Sequence, residues 1–223
     1  MQKKLILRLA SLASGILGLG ILAYVLFPIV SYEYRAARDY PTLLSPVVEK
    51  ESQTIEESLE ASDLTKASNW FPGARSPEEF EASKVAFYTI SIPRLKIENA
   101  TVAIGGEDLS QSLIQYPGTA LPGRSGNTVI FGHSILPQFY DPKDYLAIFS
   151  TLPSFKKGDE ITINYDGITY KFRVESMFEV SPTDLEVLEQ GFSEPYISLV
   201  TCVPPGHPLK PRRLIVRAKI VPF

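Results

Sequence analysis

The sequence predicts a mainly β body, a closed barrel or a sandwich with short helices, carried behind a single amino-terminal transmembrane helix. Three observations lead there. A long stretch near the amino terminus holds no charge, and the second half of the chain breaks into short runs of β-branched and aromatic residues between Gly and Pro turns. Long helical periods are few. Runs of this kind bury one face each and need a second sheet, or their own closure, to cover it.

The amino-terminal element comes first. Leu9 to Val30 is 22 residues without a charge, and at 1.5 Å per residue it reaches about 33 Å, enough to cross a bilayer. A cleaved signal peptide has a shorter apolar core followed by a small-x-small site. Ser31-Tyr32-Glu33-Tyr34-Arg35 offers none, so residues 1–30 are read as a cytoplasmic stub and an uncleaved anchor, with the bilayer contacted through residues 9–30. Lys3, Lys4 and Arg8 precede the span, while Arg35 and Arg38 after it are offset by Glu33 and Asp39. The bias is modest and favours a cytoplasmic amino terminus, with the body outside the cell membrane.

Residues 31–84 carry 11 acidic and 6 basic residues and read as an acidic extracytoplasmic linker. Ser45-Pro46 is a helix-start signal with glutamates crowding the turns after it, although Val48, Ile55 and Leu59 make only a thin apolar stripe. Ser76-Pro77-Glu78-Glu79 is a second start, for a short helix to about Lys84. Between them, Asn69-Trp70-Phe71-Pro72-Gly73 puts two aromatics on a turn. They either pack on the surface of the body or plug a binding groove, as a lid would.

Residues 85–223 form the body, with 14 acidic and 13 basic residues. Expected strands are Val85–Ile92, Asn127–Phe131, Asp159–Asn164, Ile168–Glu175, Tyr196–Cys202 and Leu214–Val221. Asp166-Gly167 joins the third to the fourth as a hairpin turn. The net charge is −3 and the cations are not clustered, which sets aside a nucleic-acid groove.

The candidate chemistry lies at strand ends. Cys202 is the one cysteine, so no intrachain disulfide can form. A lone Cys on an apolar strand is ordinarily a small core hydrophobe. Here it ends the run Ile197-Ser198-Leu199-Val200-Thr201, just before Pro204-Pro205-Gly206. His133 holds the matching place after Val129-Ile130-Phe131-Gly132, and Arg212-Arg213 opens the strand after the cysteine loop. Cys, His and Arg are the nucleophile, proton shuttle and oxyanion-stabilising cation that acyl transfer requires.

The words around these residues resemble a known family. Leu199-Val200-Thr201-Cys202 resembles the sortase signature Thr-Leu-x-Thr-Cys, with Ser198 in place of the first threonine. Arg213-Leu214-Ile215-Val216-Arg217-Ala218 resembles the family's Arg-led final strand. Tyr116-Pro117-Gly118-Thr119-Ala120-Leu121-Pro122-Gly123, followed by Asn127-Thr128-Val129-Ile130 and Gly132-His133-Ser134, resembles the approach to its catalytic histidine. The order His, Cys, Arg and the spacings of 69 and 11 residues also fit. The resemblance spans about Val85 to Val221.

It implies a closed sortase β-barrel of about eight strands and a cysteine transpeptidase. His133, Cys202 and Arg213 would take the catalytic places, with Arg213 preferred to a solvated Arg212. Thr201 reads as a substrate-side or a purely structural residue, and His207, which matches no family residue, reads as a surface-loop residue with substrate contact as its alternative role. The implied partners are proteins with a carboxyl-terminal LPxTG-like sorting signal, and an amine from a cell-wall precursor or another surface protein. No cofactor and no metal are expected. Some sortases bind calcium near the loop before the catalytic strand, but Glu175, Glu179, Asp184, Glu186, Glu189 and Glu194 lack a ligand spacing and read as a solvated face. The pilus-polymerising class C forms carry an Asp-Pro-aromatic lid and a second, carboxyl-terminal span. Neither motif is found up to Phe223, so attachment of proteins to the cell surface is the expected role. A cysteine peptidase, with water as acceptor, and a catalytically silent peptide-binding barrel are the alternatives.

Overall fold

The computed structural model describes residues 2–41, 63–71, 74 and 87–222. The helix starts at Ser45-Pro46 and at Ser76-Pro77, the turn residues Pro72-Gly73 and the first two residues of the expected strand at Val85 lie outside them.

Eight strands close into a barrel: β1 (Phe87–Ile92), β2 (Ile97–Ile104), β3 (Leu113–Gln115), β4 (Gly126–Phe131), β5 (Glu160–Tyr165), β6 (Ile168–Val180), β7 (Pro195–Val203) and β8 (Arg212–Ile220). The order around the barrel is β1-β2-β3-β4-β7-β8-β6-β5, and β5 pairs back on β1. The β2–β3 and β4–β7 pairs are parallel and the rest antiparallel. The β5–β6 hairpin turns at Asp166 and Gly167, both with positive φ (50° and 73°), as the Asp-Gly pair predicts. Six of the eight strands match the sequence reading. β2 and β3 are additions, for in β2 Glu98 and Asn99 interrupt the alternation and Asn99 itself has φ 49°, while β3 is three residues long and carries no period.

Alternation sorts the side chains into two cores. One fills the barrel, with Ile90, Val102, Leu113, Ile130, Ile163, Phe172, Leu199, Leu214 and Val216 among its members. The other lies on the opposite face of the same strands, where Val129, Phe131, Val180, Val200, Cys202 and Ile215 are covered by Trp70, Phe71, Leu109 and Val187. Burial on both faces is why β4 and β7 read as continuous apolar runs. It also puts Cys202 in the second core, outside the barrel interior.

The amino-terminal helix α1 runs unbroken from Gln2 to Asp39, about 57 Å at the helical rise. It is long and apolar enough to cross a membrane. Its chain passes Val30 without a break, and Tyr32 and Ala36 are buried against the body. The Tyr32 hydroxyl donates to the Glu179 carboxylate of β6, Arg212 donates to Glu33 at 2.5 Å, and the Tyr40 hydroxyl donates to the Pro153 carbonyl at 2.8 Å.

Candidate active site

Three neighbouring strands bring the candidate residues together. In the β7–β8 register Cys202 stands opposite Arg213. In the parallel β4–β7 pair Phe131 is level with Val200, and the Gly132 amide continues the ladder by donating to the Val200 carbonyl at 3.1 Å. That register carries His133 level with Cys202. Directly opposed residues on adjacent strands have Cα atoms about 4.5–5.5 Å apart, so His133, Cys202 and Arg213 occupy consecutive places along one rim.

Local contacts fix that rim. The Thr201 hydroxyl donates to the Gly132 carbonyl at 2.8 Å, and the Ser134 hydroxyl donates to the Cys202 carbonyl at 2.6 Å. The Phe149 amide donates to the His133 carbonyl at 2.9 Å. Gly132 allows this approach: a Cβ there would lie 2.4 Å from Phe149 and 2.6 Å from Leu113. A side chain there would displace Phe149 and Leu113, which pack beneath this strand end.

A segment from the linker covers the rim. Residues 67–70 form a single 3-10 turn, held to the body where the Ala67 amide donates to the Glu107 carbonyl at 3.0 Å and Leu109 donates to Thr65 at 2.9 Å. The Trp70 ring stacks on Phe131 with centroids 5.2 Å apart and lies 5.8 Å from the His133 ring. Its indole N–H donates to the Leu64 carbonyl at 2.8 Å. Trp70 and Phe71 pack on the outer face of the barrel, over the second core that holds Cys202. Cys202, His133 and Arg213 are left with 1%, 4% and 0% of their surfaces exposed.

Burial sets the electrostatics. It pushes the His133 imidazole down to about 4; the Lys210 charge adds to this, and Asp63, Asp108 and Asp144 oppose it. His133 is therefore neutral near pH 7 while covered. Its Nε2 is buried without a hydrogen-bond partner among the described residues, and so is Nε of Arg213. The other nitrogens of Arg213 donate to carbonyls, to Lys210 at 3.0 Å and to Trp70 at 3.3 Å. Buried polar groups are ordinarily hydrogen-bonded, so each of these two orphaned nitrogens carries a cost in this arrangement.

The remaining candidates sit elsewhere. His207 lies in the turn after Cys202, where its Nδ1 accepts from the Leu209 amide at 3.2 Å. The Thr201 hydroxyl is buried and engaged with Gly132, so it joins two strands. Arg212 is not the solvated neighbour expected, since its guanidinium bridges Glu33 and the buried Glu179, the latter at 3.1 Å. The acids before β7 are likewise not one solvated face. Glu179 and Asp184 are buried, the first against Arg212 and Tyr32, the second accepting from the Glu186 amide at 3.3 Å. Beside His133, Asp63, Ser134 and Lys210 line a cleft of about 390 Å³. Their place was not legible in sequence, because each reaches the rim from a loop whose path no periodicity encodes.

Residues 90–221 match the Sortase domain family model. Three solved structures share the fold. Clostridium perfringens Sortase D5 transpeptidase is 24% identical, with TM-score 0.53 over 76% of this chain and 99% of that one. Corynebacterium diphtheriae sortase A is 24% identical, with TM-score 0.56 over 79% and 86%. Streptococcus agalactiae sortase C1 is 22% identical, with TM-score 0.54 over 78% and 88%. No curated protein sequence matches. The neighbours carry class letters A, C and D, so the likeness leaves the subclass open. The Sortase domain covers more than half of the chain, which thus belongs to the sortase family of cysteine transpeptidases.

Proposed function

We propose that the chain is a membrane-anchored transpeptidase that cleaves an LPxTG-like sorting signal and joins the released acyl group to an amine, attaching proteins to the cell surface. The observation that carries this reading is the convergence of Cys202, His133 and Arg213 on the adjoining ends of β4, β7 and β8. The Cys202 thiolate attacks the scissile carbonyl, and the Arg213 guanidinium donates to the tetrahedral oxyanion. His133, as imidazolium, gives its proton to the departing amine and takes one back from the incoming amine. The thioester is thereby exchanged for an amide. The unpartnered nitrogens of His133 and Arg213 are the two that this scheme puts to use.

The anchor in this reading is α1, with an inside amino terminus and the barrel outside. The segment carrying Trp70 and Phe71 acts as a lid: it must leave before a peptide reaches Cys202.

The test uses the full chain in detergent, with and without Cys202→Ala, mixed with a peptide library around Leu-Pro-x-Thr-Gly and excess amine. Expected is a Cys202-dependent acyl adduct that the amine converts to ligated peptide. Adducts that resolve only to acid make the protein a peptidase. Ligation by the Ala variant removes Cys202 from the mechanism.

A further inference from the structure

We propose that the cleft between the outer end of α1 and the barrel binds the phosphate headgroup of an anionic membrane lipid. The proposal rests on α1 being the anchor. The cleft has a volume of about 830 Å³, within the size range of small-molecule sites. Its helix wall begins at Phe27 and Pro28 and continues to Tyr40. The charge-free run of α1 ends at Val30, so in an anchored chain this wall starts at the edge of the hydrocarbon and rises through the headgroup layer. A lipid there needs no separate entry path.

Four cations from three parts of the chain meet around it: Arg35 on α1, Arg94 after β1, and Lys156 and Lys157 before β5. Two carboxylates, Asp39 and Glu175, also line the cleft, so cations outnumber acids. The cations are also largely uncommitted. Arg94 lies 3.7 Å from the Asp159 carboxylate, while Arg35, Lys156 and Lys157 have no ion pair among the described residues. Arg35 is steadied by its own helix, donating to the Ser31 carbonyl at 3.2 Å. Phe27, Phe155 and Met177 add large apolar side chains to the lining. A lining that mixes large apolar side chains with an excess of cations, level with a membrane surface, fits a phosphate on a hydrophobic tail better than a soluble anion or an uncharged lipid. Each cation near such a surface contributes enough for the pair of lysines to alter affinity by about thirtyfold.

Full-length protein in neutral detergent is offered equal phosphatidylglycerol and phosphatidylcholine, and retained lipid is counted by native mass spectrometry. Flotation with pure phosphatidylcholine vesicles is measured in parallel. Expected are flotation of every variant and a wild-type preference for phosphatidylglycerol. Lys156→Gln with Lys157→Gln should cut that preference about thirtyfold, and the control pair Lys143→Gln with Lys171→Gln, outside the cleft, should keep it. A chain that floats but shows no preference, or loses it equally in both pairs, overturns the headgroup site alone. A chain that does not float overturns the anchor and the site with it. Displacement of phosphatidylglycerol by millimolar glycerol 3-phosphate as readily as by the lipid itself makes the cleft a soluble-anion site and overturns the lipid assignment.

Discussion

Arg213 and Trp70 hold each other: the guanidinium carbon lies 5.5 Å from the centre of the indole ring, and the same side chain donates to the Trp70 carbonyl at 3.3 Å. The cation that the proposed mechanism offers to an oxyanion is thus engaged by Trp70, which packs in the same core as the thiol. Replacing Trp70 and Phe71 by Ala removes the ring contacts to Phe131 and His133. Truncating buried aromatics costs about 3–5 kcal/mol each, enough to detach a segment anchored by one turn. Alkylation of Cys202 should accelerate by about 10-fold or more at constant pH. Deleting residues 69–73 should do the same. A rate unchanged in both variants means that the segment does not control access.

Acid should also open the cover. With the segment in place His133 titrates near 4, against an ordinary 6.5. The covered state therefore binds fewer protons than the open one between those values. A lowered value means that the stabilisation is complete above about pH 6.5 and falls as pH drops towards 4, by up to about tenfold in the closing equilibrium per pH unit. Proteolytic cleavage within residues 63–71 is expected to quicken over that window in wild type. His133→Gln should flatten the profile. If the variant keeps the same pH dependence, His133 is not the group that opens the cover.

Most barrel strands, and the strand ends where the candidate residues meet, were legible because the information was local. Cys202, His133 and Arg213 each end or begin an apolar run, and the Asp166-Gly167 turn fixes its own hairpin. What escaped was non-local. β3 is too short for a period, and Asn99 breaks the alternation of β2. Glu179 reads as surface in sequence because nothing in its own strand indicates that Tyr32 and Arg212 will enclose it. Trp70 reads in sequence as either plug or surface residue, and its place over the second core depends on the path of residues 63–71 along Glu107 and Leu109.

Arg213 should be sensitive to shape as well as charge. Its guanidinium is held by the carbonyls of Lys210 and Trp70, with Nε unpartnered. Lysine keeps the charge but loses the planar fork. Arg213→Ala should lower the single-turnover rate of acyl-enzyme formation by about 10²–10³, and Arg213→Lys by at least about tenfold, with peptide binding changed far less. Equal losses in binding and rate would assign Arg213 to holding the ground-state peptide.

The last prediction concerns how α1 is fixed to the barrel. Glu179 is 2% exposed, and it accepts from the Tyr32 hydroxyl while facing Arg212. Arg212 in turn reaches Glu33, so two residues of α1 close a network on two strands. Tyr32→Phe deletes one donor to a buried carboxylate, a loss of about 1–3 kcal/mol. Glu179→Gln keeps the shape but removes the charge that Arg212 faces, with a loss of similar size. The two residues share one contact, so their losses should not add: urea unfolding of the full chain in detergent should give a coupling of about 0.5 kcal/mol or more. Additive losses would mean that Tyr32 stabilises the junction through its ring alone, and that Glu179 serves Arg212 independently of the helix.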